Sequence, residues 1–207
     1  MAGGTQRNPE SCMLMADGWA MADTAMVNSA APAGAVTIGP ARFRDLRAVA
    51  RVQSHSFRPR LAYGLGTLLL LWALPHVRFL VARASVTSAA STLPPPPPTV
   101  VGCIIGDRTQ REVRVINLAV DPSARRRGVG RSLLAALEDV FPEGDLVLMV
   151  EEANKAARSL YVQAGYRQVG VAQNYYGRGR SGLWMQKRRE GGQTGRREEG
   201  RRRVIRV

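Results

Sequence analysis

The residues best equipped for chemistry lie in two short stretches of the 207-residue chain. The first is Leu118-Ala119-Val120-Asp121-Pro122-Ser123-Ala124-Arg125-Arg126-Arg127-Gly128-Val129-Gly130-Arg131, an apolar run that passes through a turn into a glycine-opened helix. Glycine lets the backbone approach a ligand closely, and the first turn of a helix leaves unpaired N–H groups at its positive end. With arginines beside them, such amides suit a pyrophosphate. No Gly-Lys-Ser/Thr follows, which excludes a Walker loop, and the first glycine of a dinucleotide fingerprint is missing. The glycines by themselves fit an ordinary turn with exposed arginines equally well. The second stretch is Asn154-x-x-Ala157-x-x-Leu160-Tyr161-x-x-x-Gly165-Tyr166, a helix opened by a capping residue and closed by glycine.

Other chemistries find little support. Cys12 and Cys103 show no Cys-x-x-Cys spacing, and His55 and His76 are the only imidazoles, which excludes a zinc-thiolate or multi-histidine metal centre. Cys103, within Val101-Gly102-Cys103-Ile104-Ile105, reads as inert core rather than an acyl-carrying nucleophile.

The elements that must position these residues follow from periodicity. Strands are expected at Ala35–Ile38, Val77–Val81, Val100–Ile105, Val113–Val120, Leu146–Val150, Val169–Tyr176 and Leu183–Lys187. Helices are expected over Asp45–Ser56, from Gly128 with Leu133, Leu134, Leu137, Val140 and Phe141 on one face, and from Asn154 to Gly165. The run Leu61 to Leu74 is the most apolar in the chain, but it is short of the ~20 residues of a spanning helix and ends at Pro75. It reads as a short helix, buried or lying on the surface near a substrate groove. Such strand–helix alternation argues for an α/β or α+β sheet covered by helices.

From about residue 100 to 176, and more weakly over 35–83, the chain resembles the GNAT superfamily of acetyl-CoA-dependent N-acetyltransferases. The motif is Arg125-x-x-Gly128-x-Gly130 after Ile116–Val120, followed at the expected distance by the Asn154–Tyr166 stretch. The resemblance implies a central mixed sheet of about six to seven strands flanked by helices, with acetyl-CoA as co-substrate and no metal. Leu118, Ala119 and Val120 would hold the pantetheine arm and thioester through backbone groups. Arg125, Arg126, Arg127, Gly128, Val129, Gly130 and Arg131 would take the pyrophosphate. Asn154 would bind the cofactor further along, with a plain helix cap as the alternative. Tyr161 would protonate the departing thiolate, with a core aromatic as the alternative.

Gln173-Asn174-Tyr175-Tyr176 is similar to a signature of RimI-like ribosomal-protein N-terminal acetyltransferases, so Tyr175 and Tyr176 would line the acceptor groove. The general base departs from that pattern. Met149 stands where the subgroup has a glutamate, leaving Glu151 as the catalytic alternative and Glu152 just beyond it. A lysine amine has a pKa of about 10.4 and an α-amine about 7.7–8.0, so a weak base favours α-amino acceptors. The expected reaction is acetyl transfer to a primary amine, a protein N-terminal α-amine or a lysine, by direct attack in a ternary complex. A small-molecule amine acetyltransferase, or a non-catalytic acyl-CoA-binding or basic interaction module, is the alternative.

The formal net charge of +14 invites a nucleic-acid reading. Its distribution favours another account: residues 187–207 carry net +6 with no aromatic residue among them to stack on bases. The expected organisation is a flexible leader over 1–34, an N-acetyltransferase domain over 35–188 with a Pro-rich insert at 85–99, and a disordered basic tail over 189–207. Partners follow: a protein or peptide amine acceptor, ribosome association through the basic surface and tail as a secondary reading, and no membrane span. A cytoplasmic location is expected, or a plastid or other organelle if the leader is a transit peptide.

Overall fold

The computed structural model describes residues 36–58, 61–85, 97–109, 112–189 and 204–205. The leader, most of the Pro-rich insert and nearly all of the basic tail lie outside them. Seven principal strands form one sheet: β1 (Val36–Pro40), β2 (Val77–Ala84), β3 (Thr99–Arg108), β4 (Glu112–Val120), β5 (Asp145–Glu151), β6 (Arg167–Ala172) and β7 (Gly182–Lys187). A two-residue strand, β8 (Val204–Ile205), runs parallel to β6 at the edge. The spatial order is β1-β2-β3-β4-β5-β7-β6-β8. Neighbours are antiparallel except for β4–β5 and β6–β8.

Among the described residues four α-helices cover the two faces: α1 (Leu46–Ser56), α2 (Leu65–Ala73), α3 (Val129–Val140) and α4 (Lys155–Gln163). Strand alternation assigns side chains to the faces. Phe79, Val81, Cys103 and Ile105 pack with Leu46, Val49 and Val52 of α1 and Leu68 of α2. Leu80, Ala82, Ile104, Val113 and Leu148 pack on the other side with Leu133, Leu134 and Leu137 of α3 and Tyr161 of α4.

Two glycines of β3 let α3 settle on the sheet. A Cβ on Gly106 would stand 2.7 Å from Leu137 and 2.9 Å from the Arg114 carbonyl oxygen, and one on Gly102 would stand 3.0 Å from the Ala119 carbonyl oxygen and 3.1 Å from Leu133. Both lie under the Val129–Leu133–Leu137 stripe, so their missing side chains set the depth of the helix that follows the arginine loop.

One expected boundary moves. Strand β6 ends at Ala172, so Tyr175 and Tyr176 lie in a turn rather than at the end of a strand. The backbone explains the break: Asn174, Gly177 and Gly179 all have positive φ, at 57°, 114° and 73°. Helix α2 has Leu68 as its one buried residue, which makes it a surface helix. Among the described residues no helix is long and apolar enough to cross a membrane.

Candidate active site

The parallel pairing of β4 with β5 covers only Glu112–Val115 against Asp145–Leu148. Beyond it both strands continue unpaired with each other, to Val120 and Glu151, and a gap opens between them. The register of β4 on β3 fixes which backbone groups face that gap. The Asp121 amide donates to the Val101 carbonyl at 2.9 Å, and Gly102 and Ile104 stand opposite Val120 and Leu118. Hydrogen-bonded pairs alternate along an antiparallel ladder, so Asp121, Ala119 and Asn117 turn their amides to β3. Leu118 and Val120 turn theirs into the gap. Ala119 therefore differs from its two neighbours in the expected thioester-holding set, because its backbone groups are spent on β3.

The gap runs into the arginine loop. Arg126 and Gly128 both have positive φ, 62° and 80°, on either side of Arg127. Such alternation turns successive amides toward one concavity, which suits an anion. Gly128 caps α3 in the left-handed conformation, while Gly130 serves close packing: a Cβ there would stand 3.3 Å from Leu160 of α4. The arginines divide. All four are exposed, but Arg126 and Arg127 are left to the loop while the other two are engaged. Arg125 folds back, its Nε donating to the Val120 carbonyl at 3.1 Å, and Arg131 donates to Gln163 Oε1 at 2.7 Å.

The last turns of α1 hold this junction from the other side. Ser56 Oγ donates to the Val120 carbonyl at 3.1 Å, and His55 Nδ1 lies 3.1 Å from Asp121 Oδ2. Asp121 also accepts from the hydroxyl and amide of Ser123 at 2.6 and 3.0 Å. Those Ser123 bonds first, and His55 second, lower its pKa to about 2. Deeper in, Gln53 Nε2 donates to Asn117 Oδ1 at 2.7 Å and to Cys103 Sγ at 3.4 Å. Burial pushes the Cys103 thiol up to about 12, so it is neutral and unreactive, in keeping with its reading as core.

Tyr161 is buried on α4, its ring 5.7 Å from that of Tyr166. Among the described residues its hydroxyl makes no hydrogen bond, yet no buried side-chain oxygen or nitrogen there lacks a partner. The ring is thus enclosed while its oxygen opens on accessible space. Burial, and then the neighbouring Tyr176, raise its pKa, so the phenol keeps its proton at neutral pH. Asn154 accepts from the Ala157 amide at 3.1 Å through Oδ1, which makes it the N-cap of α4.

The β6–β7 turn closes the far wall. Tyr176 donates to the Met149 carbonyl at 3.2 Å, its ring 5.0 Å from Tyr175 in an edge-on pair. Burial, with Tyr175, Glu151 and Tyr63 after it, pushes the Tyr176 phenol up to about 12. Tyr63, in the α1–α2 connection, is raised by burial and by Tyr175. Tyr63, Tyr161, Tyr175 and Tyr176 thus influence one another electrostatically, although Tyr63 carries no local signal that would single it out in the sequence.

Glu151, expected as the catalytic alternative, is engaged by an ion pair. Arg180 holds both its carboxylate oxygens, Nε to Oε1 at 2.6 Å and Nη2 to Oε2 at 2.8 Å. That bond lowers the Glu151 pKa, and a committed, less basic carboxylate is a poor proton acceptor. A cleft of about 250 Å³ lies beside the pair, lined by Glu151, Glu152, Ala153, Gly179, Arg180 and Ser181. Among the described residues no three metal-ligating side chains converge.

Comparison with known proteins shows what this geometry is similar to. The acetyltransferase (GNAT) family model matches residues 68–166. The [ribosomal protein bS18]-alanine N-acetyltransferase of Salmonella typhimurium is 40% identical over 68 residues, 31% of this chain and 46% of that protein. The chain spans less than half the length of the first curated relatives it matches. Among solved structures, the ribosomal-protein-S18-alanine N-acetyltransferase of Escherichia coli has a similar fold, with a TM-score of 0.59 and 21% identity over 77% of this chain and 99% of that one. The PaiA N-acetyltransferase of Thermoplasma acidophilum, in complex with coenzyme A, also has a TM-score of 0.59, with 17% identity over 75% and 99%. The splayed strands, the arginine loop at the start of α3 and the Tyr161 helix thus lie in the region, residues 68–166, that matches the acetyltransferase (GNAT) family model, and the curated relatives of this chain include RimI-type N-acetyltransferases.

Proposed function

We propose that this chain is an acetyl-CoA-dependent N-acetyltransferase that acetylates a primary amine of a protein, with an N-terminal α-amine as the acceptor it is best built for. The observation that carries the reading is the gap between β4 and β5, which leads directly into the positive-φ loop at the N-terminus of α3. An extended pantetheine arm fits where a strand would otherwise pair, with the gap-facing amides of Leu118 and Val120 in place of a ladder partner. The amides from Arg126 to Arg131, with the exposed guanidinium groups of Arg126 and Arg127, suit the pyrophosphate.

In this reading the amine attacks the thioester carbon and its lone pair becomes the new C–N bond. The Leu118 amide steadies the oxygen as negative charge builds on it. Collapse breaks the C–S bond, and Tyr161 gives its proton to the leaving thiolate. The open hydroxyl on a buried, neutral phenol supports that role. Tyr63, Tyr175 and Tyr176 wall the acceptor entrance.

The proton that the amine must lose has no dedicated carboxylate. Met149 cannot take it, and Glu151 is engaged by Arg180. An α-amine, with a pKa of about 7.7–8.0, is partly neutral at physiological pH, so solvent suffices as the final proton acceptor. A lysine would depend far more on a base. The bacterial relatives support a cytoplasmic site of action and lend nothing to the plastid alternative.

The deciding experiment incubates acetyl-CoA with peptides bearing free or blocked N-termini and follows thiol release together with peptide mass. Acetylation only of free N-termini is the expected result. Tight acetyl-CoA binding without acetylated product would overturn the reading in favour of a binding module, and lysine acetylation on blocked peptides would overturn the acceptor.

A further inference from the structure

Helix α2, Leu-Gly-Thr-Leu-Leu-Leu-Leu-Trp-Ala, contains no charged residue, and Leu68 is its one buried side chain. Its outer side is apolar too. Leu70 is 61% exposed, Leu65 and Leu69 are exposed beside it, and Phe43, 66% exposed, meets Trp72 edge-on at 5.9 Å. Trp72 is held in place, its Nε1 donating to the Ala41 carbonyl at 2.8 Å. A helix that is apolar on both its inward and outward sides calls for a second dry neighbour.

The rim of this patch carries one sign of charge. Arg44 and Arg47 line a groove of about 370 Å³ whose apolar walls are Phe43, Leu46, Leu65 and Leu69. Between Val36 and Arg78 the sequence has seven arginines and a single carboxylate, Asp45. Asp45 is already neutralised by Arg83 at 2.6 Å. Any neighbour must therefore present apolar surface and negative charge together.

We propose that this face docks on an anionic lipid surface, with α2 lying in the interfacial plane. Three features favour lipid over an acidic polypeptide. Leu65, Leu69 and Leu70 offer no hydrogen-bonding group to a partner backbone, the aromatic pair Phe43–Trp72 sits at the margin where rings prefer the headgroup level, and the arginines flank the apolar strip as they do in interfacial helices. At about 1.5 Å per residue a nine-residue helix is less than half as long as the ~30 Å hydrocarbon core is thick, so it rests on the surface and does not span it. The patch is at the start of α1, whereas His55 and Ser56, at its other end, meet the β4 junction.

The test is flotation of the full-length chain with phosphatidylcholine vesicles, with and without phosphatidylglycerol. The expected result is binding to the anionic vesicles alone, weakened by salt. The double change Arg44→Gln/Arg47→Gln lowers it about 30-fold, at about fivefold per arginine. Leu69→Asp/Leu70→Asp lowers it by more than about tenfold, with thermal melts checking that these exposed substitutions leave the fold intact. The tail change Arg201→Gln/Arg202→Gln/Arg203→Gln keeps most of the binding. Quenching of tryptophan fluorescence by brominated lipid is lost in Trp72→Phe. Failure to bind anionic vesicles overturns the proposal, as does equal binding by the Leu69/Leu70 variant, which would assign the effect to the tail. Displacement of the vesicles by polyglutamate would assign the face to an acidic polypeptide, and self-association abolished by the Leu69/Leu70 change, without vesicle binding, would assign it to a second copy.

Discussion

Arg180 grips Glu151 with two parallel hydrogen bonds, 2.6 and 2.8 Å long, across 29 residues of sequence. The same guanidinium donates to the Tyr176 carbonyl at 3.1 Å, and Tyr176 in turn donates to the Met149 carbonyl. The pair thus fastens the tyrosine-bearing turn to the end of β5. In the proposed mechanism Glu151 would be a positioning residue for the acceptor wall.

Breaking that grip should affect the acceptor and spare the cofactor. Arg180→Ala is expected to raise the peptide KM several-fold while the acetyl-CoA dissociation constant stays within twofold or so, because the cofactor loop lies on the other strand. The exchange Glu151→Arg/Arg180→Glu should recover part of the loss, which a purely steric role would not. Glu151 ionises below the ordinary carboxylate range, so the pair is intact at neutral pH and fails only as pH falls through that lowered value. Steady-state kinetics on both substrates reads these outcomes.

Tyr161→Phe removes a single oxygen from a buried ring. If Tyr161 supplies the leaving-group proton, kcat should fall about 10²-fold or more with acetyl-CoA affinity nearly unchanged. Equal turnover in mutant and parent would take Tyr161 out of the mechanism. The melting temperature should barely move, because the hydroxyl has no hydrogen bond to lose.

Gln53 is fully buried and shares its amide with Asn117 and Cys103. Gln53→Leu keeps most of the volume but strands the Asn117 amide, a loss of about 1–3 kcal/mol. Urea unfolding measures it. Gln53→Leu/Asn117→Leu should cost less than the sum of the single changes, since both orphaned groups are then gone.

Asp121 gives a pH-dependent check. Its folded pKa of about 2 lies below the unfolded value of about 3.9, so it adds stability above the unfolded value that disappears as pH falls toward about 2. The melting temperature of the parent should exceed that of Asp121→Asn at neutral pH. The difference should shrink through that acidic window and vanish below it.

The arginine–glycine junction and the Asn154–Tyr161 helix were legible in the sequence because each is local. A cap, a left-handed glycine and an apolar stripe at three- and four-residue intervals act within a turn or two of chain. The sequence favours a strand over Val169–Tyr176 because of its strand-forming side chains, and the positive φ of Asn174 outweighs them, ending the strand at Ala172. Four relationships had no sequence signal: Arg180 on Glu151, Gln53 on Asn117, Tyr63 near Tyr175, and Arg125 on the Val120 carbonyl.

The sequence by itself determined the elements, the α/β class and the loop suited to a pyrophosphate, since those rest on the period and chemistry of neighbouring residues. Only the tertiary structure decided that Leu118 and Val120, and not Ala119, turn their amides into the gap, because that depends on which pairs of the β3–β4 ladder are hydrogen-bonded. It also left the outer side of α2 bare. An apolar run looks the same in sequence whether one side of the helix or both find a partner, and packing against α1 and β2 covers only one.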